Sequence, residues 1–591
     1  MFHFLKSRIT ESPIRTIVFV GILFSIIISL KTDKGFAYIG GIDGDGKGYY
    51  LYLPAIFIDQ NFSHQAIDDR FILEENGRGA NKYYAGTALC MLPFFLIGCI
   101  ISFVLGIELT GYSAPFQIMI GLAALFYFIA GLVFLSKLLK LFHLNKTSSS
   151  ITLIFIAIGS NLFNYVFVEP AMSHVYSWCF ISGFLYFIKS FLLEHKARDF
   201  YWAALFLGII ILIRPINGIV VLSIPFIAQE MFHFRRFFQV RFLFISAAIV
   251  LAIVYIQLLL WKVQTGNYFI HSYKNEGFYF ANPELFNCLF SFRKGLFVYS
   301  PIILIALLGS LVFWKKNRFA FFAFTYFFLL LLFIISSWWN WFYGPSFGQR
   351  AFIDFYAVFA IPLAFTIEKI QQATWRKILL LICSLCVFLN LIQTYQYNKL
   401  ILSSWDMNFQ KYAYVFLKTS SNYRNCLGGN NDLPLYNEIR KSIFSLHDDF
   451  EKLPSNAKVC KSLDSQHKSV CDYSDRDYNL LLTIPTDETF ISKRALFAEI
   501  KLDRFESDKH SFNEAFCVIE YKNSQGEIYF NYTFKLNDYP HSQFKVWETF
   551  NYSVELRKIE SPNDTIRMYV WNQSKARFYL DNVQIELFSI N

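Results

Sequence analysis

The sequence predicts a polytopic all-α membrane protein that carries a C-terminal antiparallel β-sandwich. Three observations lead there. The chain is 55% hydrophobic and only 17% charged over 591 residues, whereas soluble domains carry about a quarter charged residues. Up to about residue 400 it is a succession of apolar runs of bilayer-crossing length. From about residue 430 it turns polar, and apolar residues alternate with polar ones as on half-buried strands.

Apolar runs of about 17–25 residues fall near 14–30, 115–136, 150–168, 174–192, 241–261, 297–314, 318–336, 351–367 and 377–396. The stretch 200–232 is broken by Arg214-Pro215-Ile216-Asn217 and reads as two spans joined by a tight turn, which makes eleven. The segment 86–106 is also apolar but has Pro93 in its middle. The basic clusters arbitrate, because Lys and Arg concentrate on the cytoplasmic side. With eleven spans, Lys6/Arg8/Arg15, Lys137/Lys140/Lys146, Lys196/Arg198, Arg235/Arg236/Arg241, Lys315/Lys316/Arg318 and Arg376/Lys377 all lie inside. Twelve spans would invert every cluster after the first. The segment 86–106 is therefore expected in the outer interface or as a re-entrant piece, with the C-terminus outside. The N-terminal run lacks a small-residue cleavage site and reads as an uncleaved first span. The net charge of +10 is distributed through these clusters and is no nucleic-acid signature.

A transmembrane domain over 1–420 is thus followed by an irregular linker over 421–475 and a sandwich over 476–591. The sandwich strands read as YNLLLTIP, RALFAEIKL, AFCVIEYK, EIYFNYTFKL, FNYSVELRKI, TIRMYVWNQ and ARFYLDNVQIELF. Its tryptophans, Trp547 and Trp571, suit either core packing or glycan stacking. Of 10 cysteines, Cys426, Cys460, Cys471 and Cys517 lie in the polar part. A Cys460–Cys471 disulfide suits an extracytoplasmic compartment, and the spacing leaves connectivity open.

The outer loops hold the chemistry-bearing residues. In GGIDGDGKGYYLYLPAIFIDQNF (40–62), Asp43 and Asp45 sit among glycines, ahead of Tyr49 and Tyr50. Asp-Gly is a common turn pair. Carboxylates beside aromatics also suit a sugar, and two aspartates have the chemistry of a general base or a divalent-cation site. Glu169 and His174 open the 174–192 span, where a charge is either a functional group or an offset to the helix dipole. Arg214, with almost no loop around it, needs an anion: an internal carboxylate or a ligand phosphate. Arg293 and Lys294 stand on the side opposite to the positive-inside bias, where they meet a lipid phosphate or snorkel to headgroups. Finally, SSWWNWFYGPSFGQRAFIDF (336–355) combines Trp338, Trp339 and Trp341 with Arg350 at the membrane edge. There is no P-loop, Rossmann or Gly-x-Ser-x-Gly motif and no zinc-type Cys/His grouping, so ATP-driven transport and serine hydrolysis gain no support.

This pattern resembles the GT-C superfamily of integral-membrane glycosyltransferases: a first span, an acidic outer loop, an interfacial helical segment, about a dozen spans and an outer soluble domain. It is most similar to the bacterial branch with lipid A aminoarabinose transferases, protein O-mannosyltransferases and RgtA/B/C/D-like proteins. The resemblance covers about residues 1–420 and is one of pattern and topology. It implies a polyprenyl-phosphate-linked sugar donor. It also implies a catalytic base at Asp43 or Asp45, a phosphate-contacting lysine at Lys82, a second acidic residue at Glu169 with His174 close by, and a basic residue at Arg214. The family's lysine-proline-proline element is absent, since Tyr83-Tyr84 follow Lys82.

These readings combine into an expected hexosyl- or pentosyltransferase of the bacterial inner membrane with its C-terminal domain in the periplasm. Lys82, Arg214, Arg293, Lys294 and Arg350 would meet the donor phosphate; Tyr49, Tyr50 and the three tryptophans would contact sugar. Its partners would be the lipid-linked donor, the bilayer and a glycan, lipid or protein acceptor. No cofactor is required, although a divalent cation is compatible with the aspartate pair. A flippase, polysaccharide transporter or O-antigen ligase shares the many spans and basic outer residues. A membrane-anchored assembly protein displaying the sandwich is the third reading.

Overall fold

A computed structural model describes residues 12–29, 41–61, 72–75, 78–231, 240–273, 276–370, 372–405, 407–420, 423, 440–450, 459–461, 469–472, 477–491, 495–506, 515–536, 545–573, 575 and 577–590. Lys6, Arg8, Arg235, Arg236 and Cys426 of the sequence reading lie outside them. The chain divides into two compact units, before and after the Asn398–Lys399 bond.

The first unit is helical. In order come α1 (Pro13–Ser29), two short helices α2 (Gly44–Tyr50) and α3 (Tyr52–Phe57), and a hairpin of β1 (Ile72–Glu75) and β2 (Arg78–Asn81). Then follow α4 (Gly86–Val104), α5 (Ala114–Leu141), α6 (Lys146–Ile158), α7 (Leu162–Phe167), α8 (His174–Glu194) and α9 (Ala197–Ile213). A 3₁₀ helix (Pro215–Ser223) leads into α10 (Ile224–Ala228) and α11 (Val240–Thr265). Short α12 (Leu285–Phe290), α13 (Leu296–Tyr299), α14 (Pro301–Gly309) and α15 (Leu311–Lys316) precede α16 (Arg318–Ser336). A second 3₁₀ helix (Arg350–Phe355) runs into α17 (Tyr356–Lys369), and α18 (Ala373–Asn398) closes the unit.

Among the described residues, seven helical segments are long and apolar enough to cross a membrane: α4, α5, α8, most of α11, α16, Arg350–Lys369 and α18. The remaining expected spans are present as shorter or divided helices: α1, α6 with α7, α9, the first 3₁₀ helix with α10, and α14 with α15. The segment 86–106, expected in the outer interface or as a re-entrant piece, forms one continuous helix, α4. Pro93 removes one backbone donor on the exposed side, and the helix continues through it for 19 residues. By length and composition α4 is a candidate span.

Interior faces are packed with aromatic rings, as a chain with 19% Phe, Trp and Tyr allows. Phe95 of α4 meets Tyr50 and Phe116 at 5.9 and 5.2 Å, and Trp178 of α8 meets Phe128 of α5 at 5.8 Å. Close approach also needs absent side chains. A Cβ on Gly86 would lie 2.4 Å from the Ile213 amide nitrogen and 2.5 Å from the Leu212 carbonyl carbon.

The second unit begins with α19 (Phe409–Val415) and continues as strands β3 (Arg440–Asp448), β4 (Val459–Lys461), β5 (Ser469–Asp472), β6 (Tyr478–Pro485), β7 (Ala495–Glu506), β8 (Ala515–Lys522), β9 (Ile528–Lys535), β10 (Trp547–Arg557), β11 (Thr565–Asn572) and β12 (Phe578–Ile590). One sheet runs β10-β7-β12-β5-β4 with β3 also on β12; the other runs β6-β11-β8-β9. The pairings are antiparallel. Residues alternate along β11, with Ile566, Met568, Val570 and Asn572 buried. Ile566, Met568 and Val570 meet Ile500, Tyr552, Leu580 and Ile585 of the facing sheet in one core, which makes the unit a sandwich.

The sequence reading placed an irregular linker over 421–475. Instead β3, β4 and β5 lie there and join the larger sheet. Their brevity, or in β3 a helix-neutral composition, hid them. Cys460 is in register with Val470 and Cys471 with Val459, so the two cysteines are not cross-strand partners.

Gly86→Ala would force α4 away from the end of α9. We expect a destabilisation of about 1–3 kcal/mol, read as a lower thermal midpoint in detergent. An unchanged midpoint would show that the contact has slack.

Candidate active site

The glycine-rich turn is built by two constraints. Asp43 caps α2, its Oδ1 accepting from the Gly44 amide at 2.7 Å, and Gly44 follows at φ +52°, where a Cβ is disfavoured. Gly46 lies against the loop between α7 and α8, where a Cβ would come within 2.7 Å of that of Ala171. The turn thus presses the first helical turn of α2 against the segment that carries Glu169.

This separates the two aspartates. Asp43 spends its carboxylate on the cap, exposed. Asp45 is on the first turn of α2, its side chain 31% exposed, and forms an ion pair with the Arg350 guanidinium through Oδ2. Its Oδ1 accepts from the Tyr83 hydroxyl at 2.8 Å. Burial pushes the Asp45 carboxyl up, but the Arg350 charge, the Tyr83 hydrogen bond and the Lys82 charge outweigh it and hold the group below the usual carboxylate range. Tyr49, one turn on, packs its ring 4.5 Å from that of Tyr83.

The segment before α4 is tied to α2 and α3 by polar contacts. Asn81 Nδ2 donates to the Gly48 carbonyl at 2.9 Å, and the Tyr52 hydroxyl donates to the Tyr83 carbonyl at 2.7 Å. Gln257 of α11 accepts from the Ala85 amide at 2.8 Å and donates to the Tyr52 oxygen at 3.3 Å. Lys82, between these ties, pairs with Glu276 and lies 5.2 Å from the Tyr273 ring centre.

A second group lies at the ends of α8, α9 and the second 3₁₀ helix. His174 Nδ1 is 2.8 Å from Asp354 Oδ1 and 3.2 Å from Arg214 Nη1. Arg214 is 3.7 Å from Asp354 Oδ2, which accepts from Asn217 at 2.6 Å. Asp354 is fully buried and His174 is 2% exposed, so this carboxylate is one internal anion that Arg214 meets.

Glu169 makes the third group. Its Oε1 accepts from the Tyr397 hydroxyl at 2.7 Å and its Oε2 from Asn164 at 3.2 Å. Burial pushes its carboxyl up, and the Tyr397 hydrogen bond with the Arg350 and Lys294 charges only partly offset this. Arg350 lies between the groups, since its Nη1 also contacts Met172 Sδ at 3.8 Å.

Other expected site residues are placed differently. Tyr50 is fully buried and donates to the Gly111 carbonyl at 2.5 Å, so it packs a core and is not a sugar platform. Arg293 and Lys294 are 3% and 2% exposed. The Arg293 guanidinium lies 3.4 Å from the Phe342 ring centre, and Lys294 donates to the Ser346 carbonyl. Both are thus packed against the 337–349 loop and are buried rather than open. Trp338 is bridged to Phe278 and meets the Tyr273 ring at 5.7 Å; the Trp339 amide donates to Gly277 at 2.9 Å. Trp341 is buried, its carbonyl accepting from Gln349 at 2.8 Å. The aspartate pair does not fit a shared divalent cation: Asp43 turns to its cap, and both oxygens of Asp45 are engaged by Arg350 and Tyr83. Among the described residues no group of three or more His, Cys, Asp or Glu side chains could hold a metal ion.

Sequence reasoning did not single out Tyr83, Glu276, Asp354 and Tyr397. A signal existed for Asp354, a lone carboxylate in the apolar run AFIDFYAVFAIPLAF. None existed for Glu276, which is 194 residues from Lys82.

An acid raised by folding favours the fold most when protonated. The stability that Glu169 contributes is complete below the ordinary glutamate pKa and lost as pH rises through its folded value. Glu169→Gln should therefore gain thermal stability over the wild type as pH rises from about 4 to neutrality; a gap independent of pH would contradict this. Asp45 has the opposite sign, contributing stability above the ordinary aspartate pKa and losing it as pH falls through its lowered value. In a double-mutant cycle, Asp45→Asn and Arg350→Gln should be non-additive by about 1 kcal/mol or more.

No family model matches the chain, and no curated protein matches it. Among solved structures it is similar to the Archaeoglobus fulgidus oligosaccharyltransferase tethered to an acceptor peptide, with 13% identity over 69% of this chain and 57% of that one and a TM-score of 0.38. It is also similar to the arabinosyltransferase EmbB from Mycobacterium smegmatis, with 11% identity over 97% of this chain and 64% of that one and a TM-score of 0.34. The chain spans less than two thirds of the length of either.

Proposed function

We propose that the chain is a membrane glycosyltransferase that moves a hexosyl or pentosyl group from a polyprenyl-phosphate carrier to an envelope glycan, lipid or protein at the outer face of the bacterial inner membrane. The observation that carries this reading is Asp45: a carboxylate kept ionised and one third open, on a helix start beside aromatic rings, with an arginine against it. An ionised carboxylate can take the proton of an acceptor hydroxyl, and drawing Arg350 toward the donor phosphate would raise its basicity. Because the donor's leaving group stays in the bilayer, the reaction needs no nucleotide-binding motif.

In this mechanism the acceptor oxygen attacks the anomeric carbon as its proton passes to Asp45. The bond from that carbon to the phosphate oxygen breaks, and the electron pair leaves with the lipid phosphate. A single displacement inverts the anomeric configuration. Charge growing on the phosphate is met by fixed cations, for which Arg350, Arg214 and Lys82 are the candidates. Arg293 and Lys294 are committed to the loop they support and enter only by shaping it. Glu169, held by Tyr397 and Asn164, orients an acceptor or sugar hydroxyl, and the buried Tyr49–Tyr83 pair backs Asp45.

The test is transfer by purified protein in lipid nanodiscs, with a panel of radiolabelled polyprenyl-phosphate sugars. Asp45→Asn should lower turnover by about 10²-fold or more, as expected for a lost general base. Asp43→Asn should stay within a few fold, because asparagine is an equally good cap. Donor breakdown that ignores Asp45→Asn would sink the assignment and favour a transporter.

A further inference from the structure

The larger sheet of the sandwich has an outward face whose side chains are ordered in rows. Asn551, Lys501, Gln584 and His447 lie opposite one another across β10, β7, β12 and β3. The next row on the same face is Ser553, Glu499, Glu586 and Ser445. The residues between them, Tyr552, Ile500, Ile585 and Leu446, turn inward to the core or pack against it. The two polar rows line a groove of about 420 Å³.

Further along the strands the face changes character. Asp503 accepts from Thr549 at 2.5 Å and from Asn582 at 2.7 Å. One more step brings a strip of half-exposed rings: Trp547 and Tyr579 flank Phe505 at centroid distances of 5.5 and 6.0 Å. From the Glu499 row to the Phe505 strip is six residue steps, about 20 Å at strand rise.

A solvated sheet face explains scattered polar residues, but two features here exceed it. Glu499 and Glu586 are directly opposite one another, a like-charge pairing that repulsion makes less favourable than a mixed pair and that the Ser442 hydroxyl, donating to Glu586 at 2.9 Å, partly offsets. The aromatic strip keeps apolar rings half in water beside amides and carboxylates that both donate and accept hydrogen bonds. Trp547 is partly exposed, with its indole Nε1 buried, so its ring edge rather than its N–H is open to a ligand.

We infer that this face binds a neutral glycan chain, with sugar rings stacking on Trp547, Phe505 and Tyr579 and hydroxyls bonded along the Asn551–Gln584 and Glu499–Glu586 rows. Three carboxylates (Glu499, Glu586, Asp503) against one lysine (Lys501) make the face unsuited to a polyanion. The inference is independent of the transfer reaction proposed above.

The full-length protein in nanodiscs would be titrated with a panel of neutral gluco-, manno- and galacto-configured hexaoses, following tryptophan fluorescence and calorimetric heat. At least one hexaose should bind, and Trp547→Ala should weaken it at least tenfold, with Trp547→Phe restoring part of the loss. Gln584→Ala, at an exposed position that the core does not use, should also weaken it severalfold. Trp571→Ala, on the other sheet, should leave binding as it was. Failure of every hexaose to bind, or binding that ignores both Trp547→Ala and Gln584→Ala, overturns the proposal; so does selective capture of an anionic polymer or a peptide by this face.

Discussion

Charge in a largely apolar chain must find its counter-charge, and the pair formed by Asp45 and Arg350 is where this constraint organises the helical unit. The two residues are 305 positions apart. Joining them fixes the turn after α1, the ends of α7 and α8, and the start of the second 3₁₀ helix in one place. The groups around them obey the same rule. Arg214 is answered by Asp354, Lys82 by Glu276, and Lys294 by a backbone carbonyl. A buried cation without such an answer would cost several kcal/mol. The polar cluster thus serves as the unit's most specific long-range contact, and the aromatic packing around it supplies bulk.

The same rule explains how much could be foreseen. Membrane character, span positions and the sandwich were legible because they rest on composition and on periods of 3.6 and 2. Asp45, Glu169, His174, Arg214 and Arg350 were legible as charges in places where charge is expensive. What could not be read was pairing: nothing local says that Lys82 meets Glu276, or that the histidine beside Arg214 faces Asp354. Arg293 and Lys294 misled for a related reason. Two cations at the edge of a span look like ligand contacts until the loop that closes over them is seen. Tyr50 misled because its neighbour Tyr49 faces the site, and consecutive residues on a helix point in different directions. The strands β4 and β5, of 3 and 4 residues, are too short for alternation to show.

The sandwich shows the complementary limit. Alternation locates both faces of a strand without saying what the outer face is for. Only the register, which sets Asn551 beside Lys501 and Gln584, converts scattered polar letters into rows. Distance along the sequence hides such an array completely.

The short 3₁₀ helix Arg350–Phe355 carries both Arg350 and Asp354. One of them holds the open carboxylate on α2, and the other anchors the closed imidazole–guanidinium pair between α8 and α9. Because a single turn of backbone bears both, it works as a yoke. The counter-charges of the exposed carboxylate and of the buried cluster therefore share one backbone support, and a substitution that reshapes this helix would be felt at both.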